Sequence, residues 1–183
     1  MIDLETLSTT PTAAIIEIGA VEFDIDTGHI SPLKERSEFH RLIEFDSACV
    51  NRDIDPNTVR WWFGQPQEAR ERFTQSIGDP VENVISAFYH WCERIISTEH
   101  QVCVWGNGAT FDISIVENIL QQYGFDIPWK FYNIRDVRTI VHLADGIVDK
   151  NGFEFEGVRH NALDDAKHQV KYVSAMWQLF RPV

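Results

Sequence analysis

The segment Ala14–Asp24, AIIEIGAVEFD, restricts the fold more than any other part of the chain. It is apolar and rich in β-branched side chains, which are stiff in a helix and suit a pleated surface, so it reads as a strand. Gly19 lies inside it. A glycine in a strand marks a place where another backbone or a ligand passes close. Asp26-Thr27-Gly28 supplies a turn. Ser37–Phe45 then alternates as a second strand. The chain therefore opens as an antiparallel meander.

The pattern then changes. Asp55-Pro56 starts a helix, with Asp at the N-cap and Pro at the first helical position, and Gly64 ends it. Pro66 opens another helical piece that runs to Phe73. Pro80–Ser97 carries apolar residues at 81, 84, 85, 88, 91, 92, 95 and 96, a helical period with one face toward a core. Val102–Trp105 reads as a short buried strand. Thr110–Tyr123 reads as a helix with Ile113, Val116, Ile119 and Leu120 inward. Asp136–Leu143 is helical, and Leu163–Phe180 closes the chain with Ala166, Val170, Val173, Trp177 and Phe180 on one side. Strands first, then helix and strand in alternation, predict an α/β fold with a mixed sheet and helices packed on it. With 183 residues and no repeat or linker, 1–183 is expected to be a single domain.

Composition narrows the function classes. Hydrophobic residues make up 44%, too many for a disordered chain. No run of apolar residues is long enough to span a membrane, and no basic, then apolar leader opens the chain, so a cytoplasmic location is the default expectation. Cysteines at 49, 92 and 103 are odd in number and lack CxxC spacing, so they read as small buried hydrophobes. The net charge of −12 argues against a long basic groove for nucleic acid. That objection weakens if acidic residues converge on divalent cations, in which case contacts with a strand end would be short and local.

Several carboxylates have the spacing for such a role. Asp3 and Glu5 lie two apart in an extended segment, so both face one way. They repel unless a cation or proton sits between them. Oxygen-rich clusters of this kind suit Mg²⁺ or Mn²⁺. Taken alone, a solvated strand end is the commoner explanation. Asp112 opens a helix after the Gly-rich bend Gly106-Asn107-Gly108, where an ordinary cap is the simpler reading. His160 and Asp165 lie on a loop and the first turn of the next helix, so both can face one cavity. Asp164, the rival ligand, points roughly 100° away around that helix, toward solvent.

In combination, Asp3-Leu4-Glu5-Thr6, then Phe111-Asp112, then His160 with Asp165 resemble the DEDDh exonuclease family of the ribonuclease H-like superfold. The resemblance spans nearly the whole sequence. Ile15–Val21 and Val59-Arg60-Trp61-Trp62 are similar to a narrower group of bacterial and phage enzymes, akin to exodeoxyribonuclease VIII and RNase AS-type exoribonucleases. The resemblance implies a five-stranded mixed sheet whose first three strands are antiparallel. It implies that Asp3, Glu5, Asp112 and Asp165 hold two ions, Mg²⁺ or Mn²⁺, with His160 as general base. The expected reaction is 3′–5′ hydrolysis of single-stranded RNA or DNA to nucleoside 5′-monophosphates. By the same resemblance the backbone at Thr6 and Leu7 would meet the terminal nucleotide, and relatives in the narrower group imply a homodimer. Trp61 or Trp62 could stack on a base, although adjacent helical aromatics cannot all face one way. Arg60, Arg135 and Arg138 read equally as phosphate contacts or as solvated charges, and Asp136 as a neighbour of the site. The alternative is a non-catalytic nucleic-acid-binding module on the same fold.

Three positions depart from the family pattern. Only Met1 and Ile2 precede Asp3, so the first strand is expected to be poorly anchored unless upstream residues contribute. Ser8 stands where Gly is usual, which leaves the loop after Thr6 open. Gly108 stands where Asn is usual, with Asn107 one step earlier.

Overall fold

The computed structural model describes residues 1–30, 37–74, 78–98 and 102–181. β1 (Ile2–Thr6), β2 (Ile15–Val21) and β3 (Glu38–Leu42) form the expected antiparallel meander. β4 (Val104–Gly106) and β5 (Ile134–Asp136) continue the sheet in parallel beyond β1, giving the order β3-β2-β1-β4-β5. The helices are α1 (Phe45–Ala48), α2 (Pro56–Phe63), α3 (Gln67–Thr74), α4 (Val81–Thr98), α5 (Asp112–Gln122), α6 (Val137–Leu143) and α7 (Ala162–Trp177). Asp55 caps α2 through the Asn57 N–H, with Pro56 first in the helix and Gly64 at its end, as the residue types require. No helix among the described residues is long and apolar enough to cross a membrane.

Period two sorts β1 between two layers. Ile2 and Leu4 enter the core beneath α4 and α5, with Ile18, Ile85, Phe88 and Val116. Asp3 and Glu5 face the other side, where α7 lies across β1 and β2. Val170 and Val173 of α7 build the second core there with Val21 and Trp105.

Four expectations change. β1 is well anchored: it pairs with β2 from Ile2 to Thr6 and with β4 at Gly106. The Met1 nitrogen also donates to the Val21 carbonyl at 2.9 Å, and Met1 and Ile2 are buried. β5 was not legible as a strand, because three residues are too few to show alternation. The strand expected over Ser37–Phe45 is shorter, since Phe45 already opens α1. Phe180 is 44% exposed rather than inward, because α7 gives way at Gln178 to a 3₁₀ turn, which changes the angular step between side chains. The cysteines are free thiols, and burial pushes the Cys92 thiol up, in keeping with a packing role.

Gly19 has the role its place in a strand implies. A Cβ there would lie 2.1 Å from the Ala162 carbonyl carbon and 2.2 Å from the Leu163 nitrogen. The first turn of α7 therefore rests directly on β2. Gly19→Ala must push α7 away, and overpacking of this kind costs typically about 1–3 kcal/mol or more. Urea denaturation is expected to show a midpoint well below wild type, and an unchanged midpoint would contradict this contact.

Candidate active site

Three backbone segments bring the sequence-predicted carboxylates together. β1 supplies Asp3 and Glu5. Asp112, at the start of α5, is not a helix cap: its Oδ1 accepts the Leu4 N–H at 3.2 Å, which ties α5 to β1. Gly106 makes room for it, since a Cβ there would meet the Asp112 Cβ at 3.2 Å. The bend before Asp112 is fixed by Asp136, whose Oδ2 accepts the Ala109 N–H at 2.7 Å. Gly108 adopts φ +104°, and the Arg138 guanidinium fills the space beside it, 3.3–3.6 Å from where a Cβ would be. Gly in place of Asn thus admits a cation next to Asp112.

α7 supplies Asp165, and the turn before it presents His160. Asn161 caps the helix by accepting the Leu163 and Asp164 N–H groups. Asp164 does not face solvent as expected. Its Oδ2 accepts the Val158 N–H at 2.9 Å and the side chain packs on Gly157, so it closes the turn. His160 has φ +61°, a left-handed conformation uncommon for any residue with a Cβ. Its backbone N–H donates to the Asp165 carboxylate. Its Nδ1 lies 3.9 Å from Glu5 Oε1. Ligand-type atoms of Glu5, His160 and Asp165 all lie within 4.8 Å of one another.

The cluster is electrostatically unfavourable without a counter-charge. Loss of hydration, and then the charges of Asp112, Glu5 and Asp165, push Asp3 well above the usual carboxylate range. Gln169 partly opposes this by donating to Asp3 Oδ1 at 2.6 Å. Burial raises Asp112 to about 7 and Asp165 to about 6. Asp165 Oδ2 is a buried oxygen with no hydrogen-bond partner among the described residues. Hard oxygen donors crowded together with an unpaired lone pair fit a divalent cation of the Mg²⁺ or Mn²⁺ type.

The candidate substrate residues divide. Trp62 is 1% exposed and its Nε1 donates to the Thr6 carbonyl at 2.9 Å, so it is a core residue that props up the end of β1. Trp61, one step around α2, is 47% exposed, and its ring stands edge-on to His160 at 5.0 Å. Leu7 is buried. Its N–H donates to Ala14 and its carbonyl accepts from Asp55, so its backbone is committed within the protein rather than open to a nucleotide. The Thr6 hydroxyl donates to the Ser8 carbonyl at 2.7 Å, which closes the loop where Gly is usual. Of the three candidate arginines, Arg138 acts on the cluster through Asp112, and Arg159, not singled out from sequence, acts on Asp165. Arg60 bonds Asn57, and Arg135 donates to the Tyr132 and Ile134 carbonyls. Sequence reasoning missed Gln169, Glu17 and Tyr172. Burial first, and then Asp3 and Asp165, push the Tyr172 phenol up. A polar residue on the inward stripe of α7 was the available signal for Gln169. A cavity of about 720 Å³ lies beside Met1, Trp105 and Trp177; Arg135 lines it, but none of the four carboxylates and not His160.

Known proteins are similar to this chain in sequence and in fold. A family model described as a 3′-5′ exoribonuclease Rv2179c-like domain matches residues 1–177. An exodeoxyribonuclease of Enterobacteria phage T4 is 27% identical over 157 residues, 76% of this chain and 68% of that protein. The nuclease domain of 3′hExo, a DEDDh family member bound to rAMP, superposes with a TM-score of 0.62 at 18% identity, across 98% of this chain and 90% of that one. The structure of 3′-end specific recognition of histone mRNA stem-loop by 3′-exonuclease gives 0.54 at 16% identity, covering 98% and 80%. The mixed five-stranded sheet with flanking helices is the ribonuclease H-like fold of DEDDh nucleases. Within that class the chain belongs to the Rv2179c-like 3′-5′ exoribonuclease domain family, and it is an exonuclease.

The raised carboxylates set a pH dependence. A carboxyl raised in the folded state favours folding while protonated, and this contribution is lost as pH rises through the folded value. With Asp165 at about 6 and Asp112 at about 7, metal-free protein is expected to lose thermal stability from pH 5 to pH 8. Mn²⁺ should restore stability most at pH 8, and Asp112→Asn should flatten the metal-free profile. A melting temperature independent of pH in chelator would contradict this.

Proposed function

We propose that the protein removes nucleotides one at a time from the 3′ end of single-stranded RNA or DNA, releasing nucleoside 5′-monophosphates. Asp3, Glu5, Asp112 and Asp165 would hold two divalent cations, Mg²⁺ or Mn²⁺. The observation that carries this reading is the convergence of Glu5, His160 and Asp165 beside a buried, unpaired Asp165 oxygen. When bound, the cations supply a polarised attacking water and neutralise charge developing on the phosphate.

The chain's own groups do the rest. His160 accepts the proton of the attacking water, and imidazole is the side chain that exchanges protons near neutral pH. Arg138, exposed beside Gly108, faces the incoming phosphate with positive charge in an otherwise acidic site. Trp61 offers the exposed aromatic surface next to His160 on which the terminal base stacks, a contact worth about 1–3 kcal/mol per base. Thr6 ends β1, and its carbonyl accepts from Trp62, the neighbour of Trp61. The family description names RNA and the phage relative is named for DNA, so both strands are candidate substrates.

Matched RNA and DNA strands labelled at the 5′ end, incubated with Mn²⁺ or Mg²⁺, should shorten stepwise from the 3′ end. His160→Ala is expected to slow this by roughly 10²–10⁴ while Mn²⁺ still binds, and Asp3→Ala to lose both. Trp61→Ala should raise KM by roughly 5- to 100-fold with a folded, metal-binding protein. A strand left intact with either metal would favour the non-catalytic binding module.

A further inference from the structure

Glu17 is an acidic residue inside an otherwise apolar strand, and its side chain has no exposure to solvent. Burying a carboxylate is costly unless its oxygens are bonded and its charge is balanced. Its Oε1 accepts the Ala162 N–H at 3.1 Å and lies 2.7 Å from His40 Nε2. Ala162 is the first residue of α7, and its N–H is one of the donors that a helix leaves without an internal partner. Asn161 takes the N–H groups of Leu163 and Asp164, and Glu17 takes that of Ala162. The positive end of the helix dipole favours a negative charge there.

The turn so anchored is the one that presents His160. Asp164 holds Val158, Asp165 holds the His160 N–H, and Glu17 holds Ala162. The first two carboxylates belong to α7 itself and travel with it. Glu17 is the one of the three that belongs to the sheet. It pairs in register with Glu5, so both carboxylates project to the same face of neighbouring strands. This hydrogen bond, with the close packing of Ala162 and Leu163 on Gly19, ties the His160 turn to the strand paired with the one that carries Glu5.

We propose that Glu17 is a positioning residue for His160, setting the distance between the imidazole and the Glu5 end of the carboxylate cluster. The inference rests on the reading of His160 as general base. Glu17 touches no substrate and is separate from the four carboxylates proposed to hold metal. Its acceptor oxygen is the essential feature, so a neutral acceptor of the same shape can replace it.

The test compares Glu17→Gln, Glu17→Met and His160→Ala, alone and as the Glu17→Met/His160→Ala double variant. Gln keeps the acceptor, and Met fills the buried volume without one. Glu17→Gln should retain kcat within about threefold of wild type. Glu17→Met should lower kcat by roughly 10- to 100-fold, as expected for a base displaced by about an ångström. KM and Mn²⁺ affinity should stay within about twofold. The double variant should be no slower than His160→Ala alone, because Glu17 acts through His160. The proposal is overturned if folded Glu17→Met keeps full kcat, if Gln is as slow as Met, or if the losses multiply in the double variant. It is also overturned if Mn²⁺ affinity falls in step with kcat. Full activity in His160→Ala would instead overturn the general-base reading beneath it.

Discussion

Like charges gathered where water is scarce are the constraint on which the rest of this structure depends. Asp3, Glu5, Asp112 and Asp165 come from one strand and two helices, and each raises the cost of ionising its neighbours or is itself hard to ionise through burial. Such an arrangement persists only if the backbone that carries it is rigid. The sheet supplies that rigidity. β1 is held on both sides, and the Asp112 carboxylate bonds directly to the β1 backbone.

The acidic residues fall into two sets. One set accepts backbone or hydroxyl hydrogen bonds and is stabilised as charged. The Asn57 N–H holds Asp55 below the usual range, and the Thr12 and Thr10 hydroxyls do the same for Asp53. Partial burial pushes Asp136 upward, but the Ala109 and Thr139 amides outweigh it and leave it low. These groups cap helices and close turns. The other set, Asp3, Asp112 and Asp165, is pushed upward. A net charge of −12 therefore says little about binding by itself. Much of it closes turns and caps helices, and part is concentrated where cations would neutralise it.

Much of this was legible in the sequence, for physical reasons. The β-branched run around Gly19, the Asp55-Pro56 start and the long apolar periodicities are local signals, and each element appears where they place it. That Asp3, Glu5, Asp112, His160 and Asp165 converge was legible through order and spacing together, since each alone had a more ordinary explanation. β5 was hidden because Ile134–Asp136 is too short to carry a period. The separation of Trp61 from Trp62 was hidden because only packing decides which of two adjacent helical side chains turns inward. Asp164 was misread as solvent-facing because its partner, the Val158 N–H, lies in an irregular turn. The burial of Leu7 was hidden because its long-range bonds to Ala14 and Asp55 leave no trace in local sequence.

On the proposed function, the crowded carboxylates of Asp3, Glu5, Asp112 and Asp165 bind a pair of divalent cations. Electron paramagnetic resonance of the wild-type protein titrated with Mn²⁺ addresses it directly. Two bound ions with an exchange-coupled signal are predicted, with the coupling lost in Asp3→Ala. A single uncoupled ion, or no bound Mn²⁺ at concentrations that support hydrolysis, would contradict the account.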